Sequence, residues 1–125
     1  MRILLDTHVL LWVAADSPRI QSIRHRLLSS DHEVFFSVAS LWEVSIKVGI
    51  GKLKADAAQI REAALDSGFL ELPILGPHAL HAGRLDWHHR DPFDRLLVSQ
   101  AATEPMLLLT ADAQLLAYGA HVELI

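Results

Sequence analysis

The residues that most constrain the fold are Arg2-Ile3-Leu4-Leu5-Asp6, an apolar run without polar alternation that closes on an acid. A strand with one wet face alternates; a strand that does not is covered on both faces, which is the condition of a parallel sheet between two helical layers. EVFFS (33–37) is a second buried strand, FLELPI (69–74) a short third, MLLLT (106–110) a fourth, and HVELI (121–125) can be a last edge strand. The segments between these runs read as helices: 8–15, an amphipathic stretch over 19–29, 38–50, 55–67, one or two turns over 77–85, 91–103 and 112–118. Asp91-Pro92 is a helix start, an Asp cap with proline at the first helical position. Gly49, Gly68 and Gly119 follow the helical runs as stops. Strands alternating with helices at this spacing predict an α/β fold, a three-layer α/β/α sandwich with a mostly parallel central sheet of about five strands. The 125 residues read as one domain, 1–125, with no repeat, linker or low-complexity tract.

Composition narrows the function. Half the chain is apolar, 51%, which suits a sheet covered on both faces, a partner interface, or both. With no cysteine there is neither a disulfide framework nor a thiolate metal site, and a cytoplasmic location is expected. Asp6 and His8 interrupt the apolar N-terminal stretch, so no signal peptide and no membrane span is expected. The net charge of −4 argues against tight electrostatic binding of nucleic acid by the protein alone. Bound cations would restore positive charge locally.

Four acids fall at matching places in the strand–helix alternation. Asp6 ends the first strand, Glu43 lies about one and a half turns into the helix after the second, Asp112 follows the fourth, and Asp94 sits in the first turn of the helix before it. In a parallel sheet the loops leaving the carboxyl ends of the strands share one side, and ligands bind there where the strand order reverses. All four acids can therefore face one crevice. Carboxylates held that close raise one another's pKa unless a cation neutralises them. Oxygen ligands without cysteine suit Mg²⁺ or Mn²⁺, and such a site can activate water against a phosphodiester.

Each acid also has a plainer reading. Asp91 is a cap; Asp94 and Asp112 can stabilise helix dipoles; Glu43 can pair with Lys47 four residues on. Asp6, closing an apolar strand, is poorly explained by packing. Among eight histidines, His78, His81, His88 and His89 come nearest to a zinc cluster, but no zinc-binding spacing is present. His88, His89 and Arg90 could instead meet RNA phosphates. A receiver-type phosphotransfer domain would need a phosphoacceptor Asp ending the third strand and a Lys ending a later one, and FLELPI ends in neither. Phosphate-loop, dinucleotide and nucleophile-elbow motifs are absent.

Taken together, ILLDTHVLLW, SVASLWEVSIKVGIGKL, HHRDPFDRLLVSQA and LLTAD resemble, in order and over nearly the whole chain, the PIN-domain proteins of the type found as the VapC toxin of bacterial toxin–antitoxin pairs. The resemblance implies a Mg²⁺- or Mn²⁺-dependent endoribonuclease with Asp6, Glu43, Asp94 and Asp112 as metal-holding catalytic acids. It implies Asp91 as an accessory residue beside them. Thr7 and Thr110 match hydroxyl residues that could orient carboxylates or waters. Lys47 and Arg95 fall where a base could touch phosphate or hold an acid. Many relatives carry Asn before the last acid, where this chain has Ala111. The resemblance further implies an RNA substrate, a homodimer, and an antitoxin whose tail blocks the acidic crevice. The reading of another class is a non-catalytic PIN-fold module acting with its antitoxin.

Overall fold

The computed structural model describes residues 1–125. Five strands, β1 (Arg2–Leu5), β2 (Glu33–Ser37), β3 (Leu70–Leu72), β4 (Leu107–Thr110) and β5 (Val122–Leu124), form one sheet in the order β3-β2-β1-β4-β5. Every pairing is parallel. β1 is central, its Leu4 aligned with Phe35 of β2 on one side and Leu108 of β4 on the other. The chain runs outward from β1 through β2 to β3, then returns to add β4 and β5 on the far side of β1. The order therefore reverses between β1 and β4, which places the switch-point crevice at the residues that follow those two strands.

The missing alternation of RILL has its cause in two separate cores. Ile3, Leu5, Val34, Phe36 and Leu109 point to one face, under α1 (Thr7–Ala14), α2 (Arg24–Leu28) and α4 (Ala57–Asp66). Leu4, Leu72, Leu108 and Val122 point to the other, under α6 (Pro92–Thr103) and a 3₁₀ turn at Ala113–Tyr118. Helix α3 (Val38–Gly49) contributes Val44 to the first core and Ala39 to the second. Helix α5 (Gly76–Arg84) packs on α6. This is the three-layer α/β/α architecture.

The structure departs from the sequence-based elements in three places. The helix expected over 19–29 is a 3₁₀ turn, Pro18–Ile20, and then the five-residue α2. Ser17 caps the turn by accepting from the Arg19 amide, and Ile23, at φ −114°, ψ −4°, is the cap residue from which α2 starts anew. Ile20, Ile23 and Leu27 are all buried, so the spacing marked the packed residues correctly. Two short turns satisfy that burial without a continuous helix. The third strand is trimmed to Leu70–Leu72, because Pro73 lacks the amide that would continue the ladder. The last helix is 3₁₀, with Asp112 as its cap and outside its first turn.

Candidate metal centre

Each side chain of the crevice is placed by a local backbone need. Asp6 caps α1, its Oδ1 accepting from the Val9 amide at 2.8 Å, and its Oδ2 accepts from the Thr110 hydroxyl. The Thr110 oxygen also accepts from the Asp112 amide at 3.0 Å. One hydroxyl thus ties the end of β1 to the loop after β4. Asp112 caps the 3₁₀ turn through Oδ1 and the Gln114 amide, which frees Oδ2 for the crevice. Asp91 caps α6 by accepting from the Phe93 and Asp94 amides at 2.8 and 3.3 Å. Asp94 is carried in the first turn of that helix. Thr7 donates to Ser40 Oγ at 2.9 Å, joining α1 to α3.

Glu43 is 4% exposed, so it does not lie on a solvated face. Its Oε2 meets Lys47 Nζ at 2.9 Å across one helical turn, while its Oε1 is buried without any partner. The Glu43 hydrogen bond is the main cause that raises the pKa of Lys47, and the charges of Asp91 and Asp94 act in the same direction. Lys47 therefore faces the acids as well as pairing with one.

The electrostatics register the crowding. Burial is the largest cause that pushes the Asp94 carboxyl up to about 7, followed by the charges of Asp91 and Glu43; His89 opposes the shift and Asp6 adds to it. Burial also raises Asp6, against the hydrogen bonds from Thr110 and Val9. The four acids named from the sequence are thus brought to one crevice: Glu43 and Asp6 by their charges on Asp94, Asp112 through Thr110 and His89.

His89 is the residue that sequence reasoning passed over in favour of a phosphate contact. Its Nε2 lies 2.9 Å from Asp112 Oδ2 and 3.5 Å from Asp94 Oδ2. These three side chains form the one group in the molecule whose donor atoms, within 4.8 Å of one another, could converge on a metal. Its position two residues before the Asp91 cap was the available signal, since a loop entering that helix must pass the acids. The other histidines do not assemble. His78 is buried against Glu104 at 2.6 Å, His81 meets Ser99 at 3.2 Å, and His88 stacks edge-on against Tyr118.

Arg95 corrects an expectation. It holds no acid and is 5% exposed, too buried to present its charge to a phosphate. Its guanidinium donates to the carbonyls of Ala82, Leu85, Asp86 and His89 and to the Tyr118 hydroxyl, with the Trp87 ring 3.9 Å away. Arg95 is the internal support of the 85–91 loop.

The donor chemistry fits a hard divalent cation. A buried carboxylate oxygen without a partner, a carboxyl forced to bind a proton near neutrality and an acid-rich crevice are each relieved by a cation. Fold and site together define a class, parallel α/β domains with carboxylates gathered at the topological switch point. Within it, the model of the PIN domain family matches residues 3–120, and the chain belongs to that family.

The solved structures similar to this chain agree on the fold. VapBC2 from Rickettsia felis, bound to a DNA fragment from its promoter, superposes with a TM-score of 0.71 at 18% identity, covering 100% of this chain and 98% of that one. VapBC-1 from nontypeable Haemophilus influenzae gives 0.67 at 19%, covering 100% and 97%. VapBC-5 from Mycobacterium tuberculosis, a member of the VapBC family of toxin–antitoxin systems, gives 0.63 at 22%, covering 99% and 97%. No curated protein matches the chain significantly.

Proposed function

We propose that this protein is a divalent-metal-dependent endoribonuclease, the toxin of a toxin–antitoxin pair, with the 125 residues working as one PIN domain in the cytoplasm. The observation that carries the reading is the crevice at the β1/β4 switch point, where Glu43 Oε1 is buried without a partner and the Asp94 carboxyl is pushed up to about 7. Asp6, Glu43, Asp94 and Asp112 would hold one or two Mg²⁺ or Mn²⁺ ions. Such an ion supplies positive charge against the scissile phosphate and makes water a stronger nucleophile.

The chain's own residues do the rest. Thr110 fixes Asp6 in one orientation by donating to Oδ2, so the carboxylate enters the crevice without rotamer freedom. Lys47 holds Glu43 and adds a positive charge beside Asp91 and Asp94, where an RNA phosphate would approach. Asp91 caps the helix that carries Asp94 and adds to the negative field.

A partner is part of the proposal. An open groove of about 880 Å³, floored by Leu11, Trp12, Leu53 and Ile60, runs between α1 and α4, lined by Lys47, Lys52 and Lys54 against a single acid, Asp56. Apolar floor and basic rim suit an acidic amphipathic segment. Because Lys47 belongs to both groove and crevice, an antitoxin tail seated here would reach the acids. A homodimer is included on the strength of Trp42 and Ile50, exposed by 61% each at α3. The groove also favours the second reading, a non-catalytic module that works only through its antitoxin.

The experiment is antitoxin-free protein incubated with total RNA and Mg²⁺ or Mn²⁺, with EDTA and Asp6→Asn as controls. Discrete cuts are expected, lost with EDTA and reduced by at least about a hundredfold in the variant, beyond the loss typical of outer-shell partners. If Asp6→Asn and Asp94→Asn both cut at the parental rate, the nuclease assignment is wrong. Antitoxin binding without any metal-dependent turnover would establish the module instead.

A further inference from the structure

The group formed by His89, Asp94 and Asp112 has the geometry of a mixed nitrogen–oxygen metal site, which would favour Zn²⁺ or a later transition ion. The hydrogen bonds around the imidazole decide against that use. His89 Nδ1 lies 3.0 Å from the Asp91 backbone nitrogen. A backbone amide only donates, so Nδ1 must present a lone pair. The ring proton then resides on Nε2, the atom aimed at Asp112 Oδ2 and, more distantly, at Asp94 Oδ2.

Ligation through Nε2 would require the proton to move to Nδ1, where it would face the Asp91 N–H. The ring is held by hydrogen bonds at both nitrogens, and the backbone that carries it is anchored as well. The His89 backbone amide donates to the Tyr118 hydroxyl at 3.1 Å, its carbonyl accepts from Arg95 at 3.3 Å, and its side chain is 14% exposed. The Asp91 amide belongs to the cap residue of α6, so the element that carries Asp94 also sets the tautomer of His89.

We infer that His89 is a positioning residue: it presents a fixed Nε2–H donor that orients Asp112, beside Asp94, and leaves the cation an oxygen-only ligand set. This deepens the proposed nuclease reading and rests on it for the identity of the acids as ligands. The donor orients the Asp112 oxygen not used by the 3₁₀ cap, so both oxygens of Asp112 are fixed before any ion arrives. A nitrogen donor withheld from the site favours hard ions over Zn²⁺ or Ni²⁺.

The test uses the full chain, labelled with ¹⁵N. Imidazole NMR of the metal-free and Mg²⁺-loaded protein should show His89 with a bare Nδ1 and a protonated Nε2 in both states. A bare or metal-coupled Nε2, or a ring protonated on both nitrogens, overturns the inference. His89→Gln, which keeps an N–H donor, should bind Mg²⁺ by calorimetry within about threefold of the parent. His89→Ala should bind about ten- to a hundredfold more weakly, the usual cost of losing an outer-shell partner. Its Zn²⁺ affinity should fall by the same factor as its Mg²⁺ affinity. Zn²⁺ binding lost selectively, or Mg²⁺ binding unchanged in His89→Ala, would show that His89 is a ligand or a bystander. NMR on the parent stands even where a variant is unstable. A parent that binds Mg²⁺ with this ring pattern but cuts no RNA would reject the nuclease and leave the assignment of His89 intact.

Discussion

Asp94 shows what the crevice demands of a single residue. Its carboxyl is held at about 7, above its ordinary 3.8, first by burial and then by Asp91 and Glu43. In metal-free protein the folded state therefore keeps a proton that the unfolded chain has released between pH about 4 and about 7. The contribution to stability is full below the lower value and is lost as pH rises through the upper one. With the Asp94 side chain still 19% exposed, the loss is discounted for solvent screening to on the order of 1–2 kcal/mol. Asp94→Asn should remove this part of the slope and be more stable than the parent at pH 8 in EDTA. Urea unfolding at pH 5 and pH 8 measures it; an identical pH dependence in both proteins would exclude the buried-charge account. Among the neighbouring residues the sequence read one cap of three, Asp91, marked by the proline after it. Asp6 and Asp112 also cap, at α1 and the 3₁₀ turn, but in the sequence Asp6 reads as the end of a strand and Asp112 as a first-turn acid. The tautomer of His89 was not readable, because it depends on which atom of a ring meets an amide two residues on.

At the scale of elements, strands were more legible than helices. The inner strands β1, β2 and β4 announce themselves by apolar composition, and the edge strands β3 and β5 occur in the short segments FLELPI and HVELI that the same reading took as strands. The 19–29 stretch misled because periodic apolar spacing records burial, and a 3₁₀ turn plus a short helix buries Ile20, Ile23 and Leu27 as well as one helix would. The 85–91 loop was illegible for another reason: its shape is set by a residue of α6. Arg95 satisfies four carbonyls and a hydroxyl that no regular element could serve. A lysine has three donors on a flexible stem and cannot span that fan. Arg95→Lys is expected to lose about 1–3 kcal/mol, chiefly from the half-buried carbonyls of Leu85 and His89 left without their donor, and to weaken Mg²⁺ binding because His89 hangs from the same loop. Denaturant midpoints and calorimetry read the two effects. Full stability in the variant would mean that the loop holds its shape without the clamp.

For the molecule as a whole, β1 separates two cores and ends on Asp6, so the segment most deeply buried delivers the acid most deeply buried. The fold tolerates this because Asp6 is given a cap and a hydroxyl, but Glu43 and Asp94 are left with an orphaned oxygen and an unfavourable field. The site is thus a region where global stability is forgone in the absence of a cation, and ion binding must return it through linkage. At a cation concentration about a hundred times the dissociation constant the gain is about 2.7 kcal/mol. For a domain of this size that raises the melting temperature by roughly 5–15 °C. Asp94→Asn should behave oppositely at both ends, melting above the parent in EDTA at pH 8 and below it in saturating Mn²⁺. The two melting curves should therefore exchange order as the ion is titrated. Scanning fluorimetry across the titration checks this directly, and curves that keep one order throughout would mean that the acids are not coupled through a common ion.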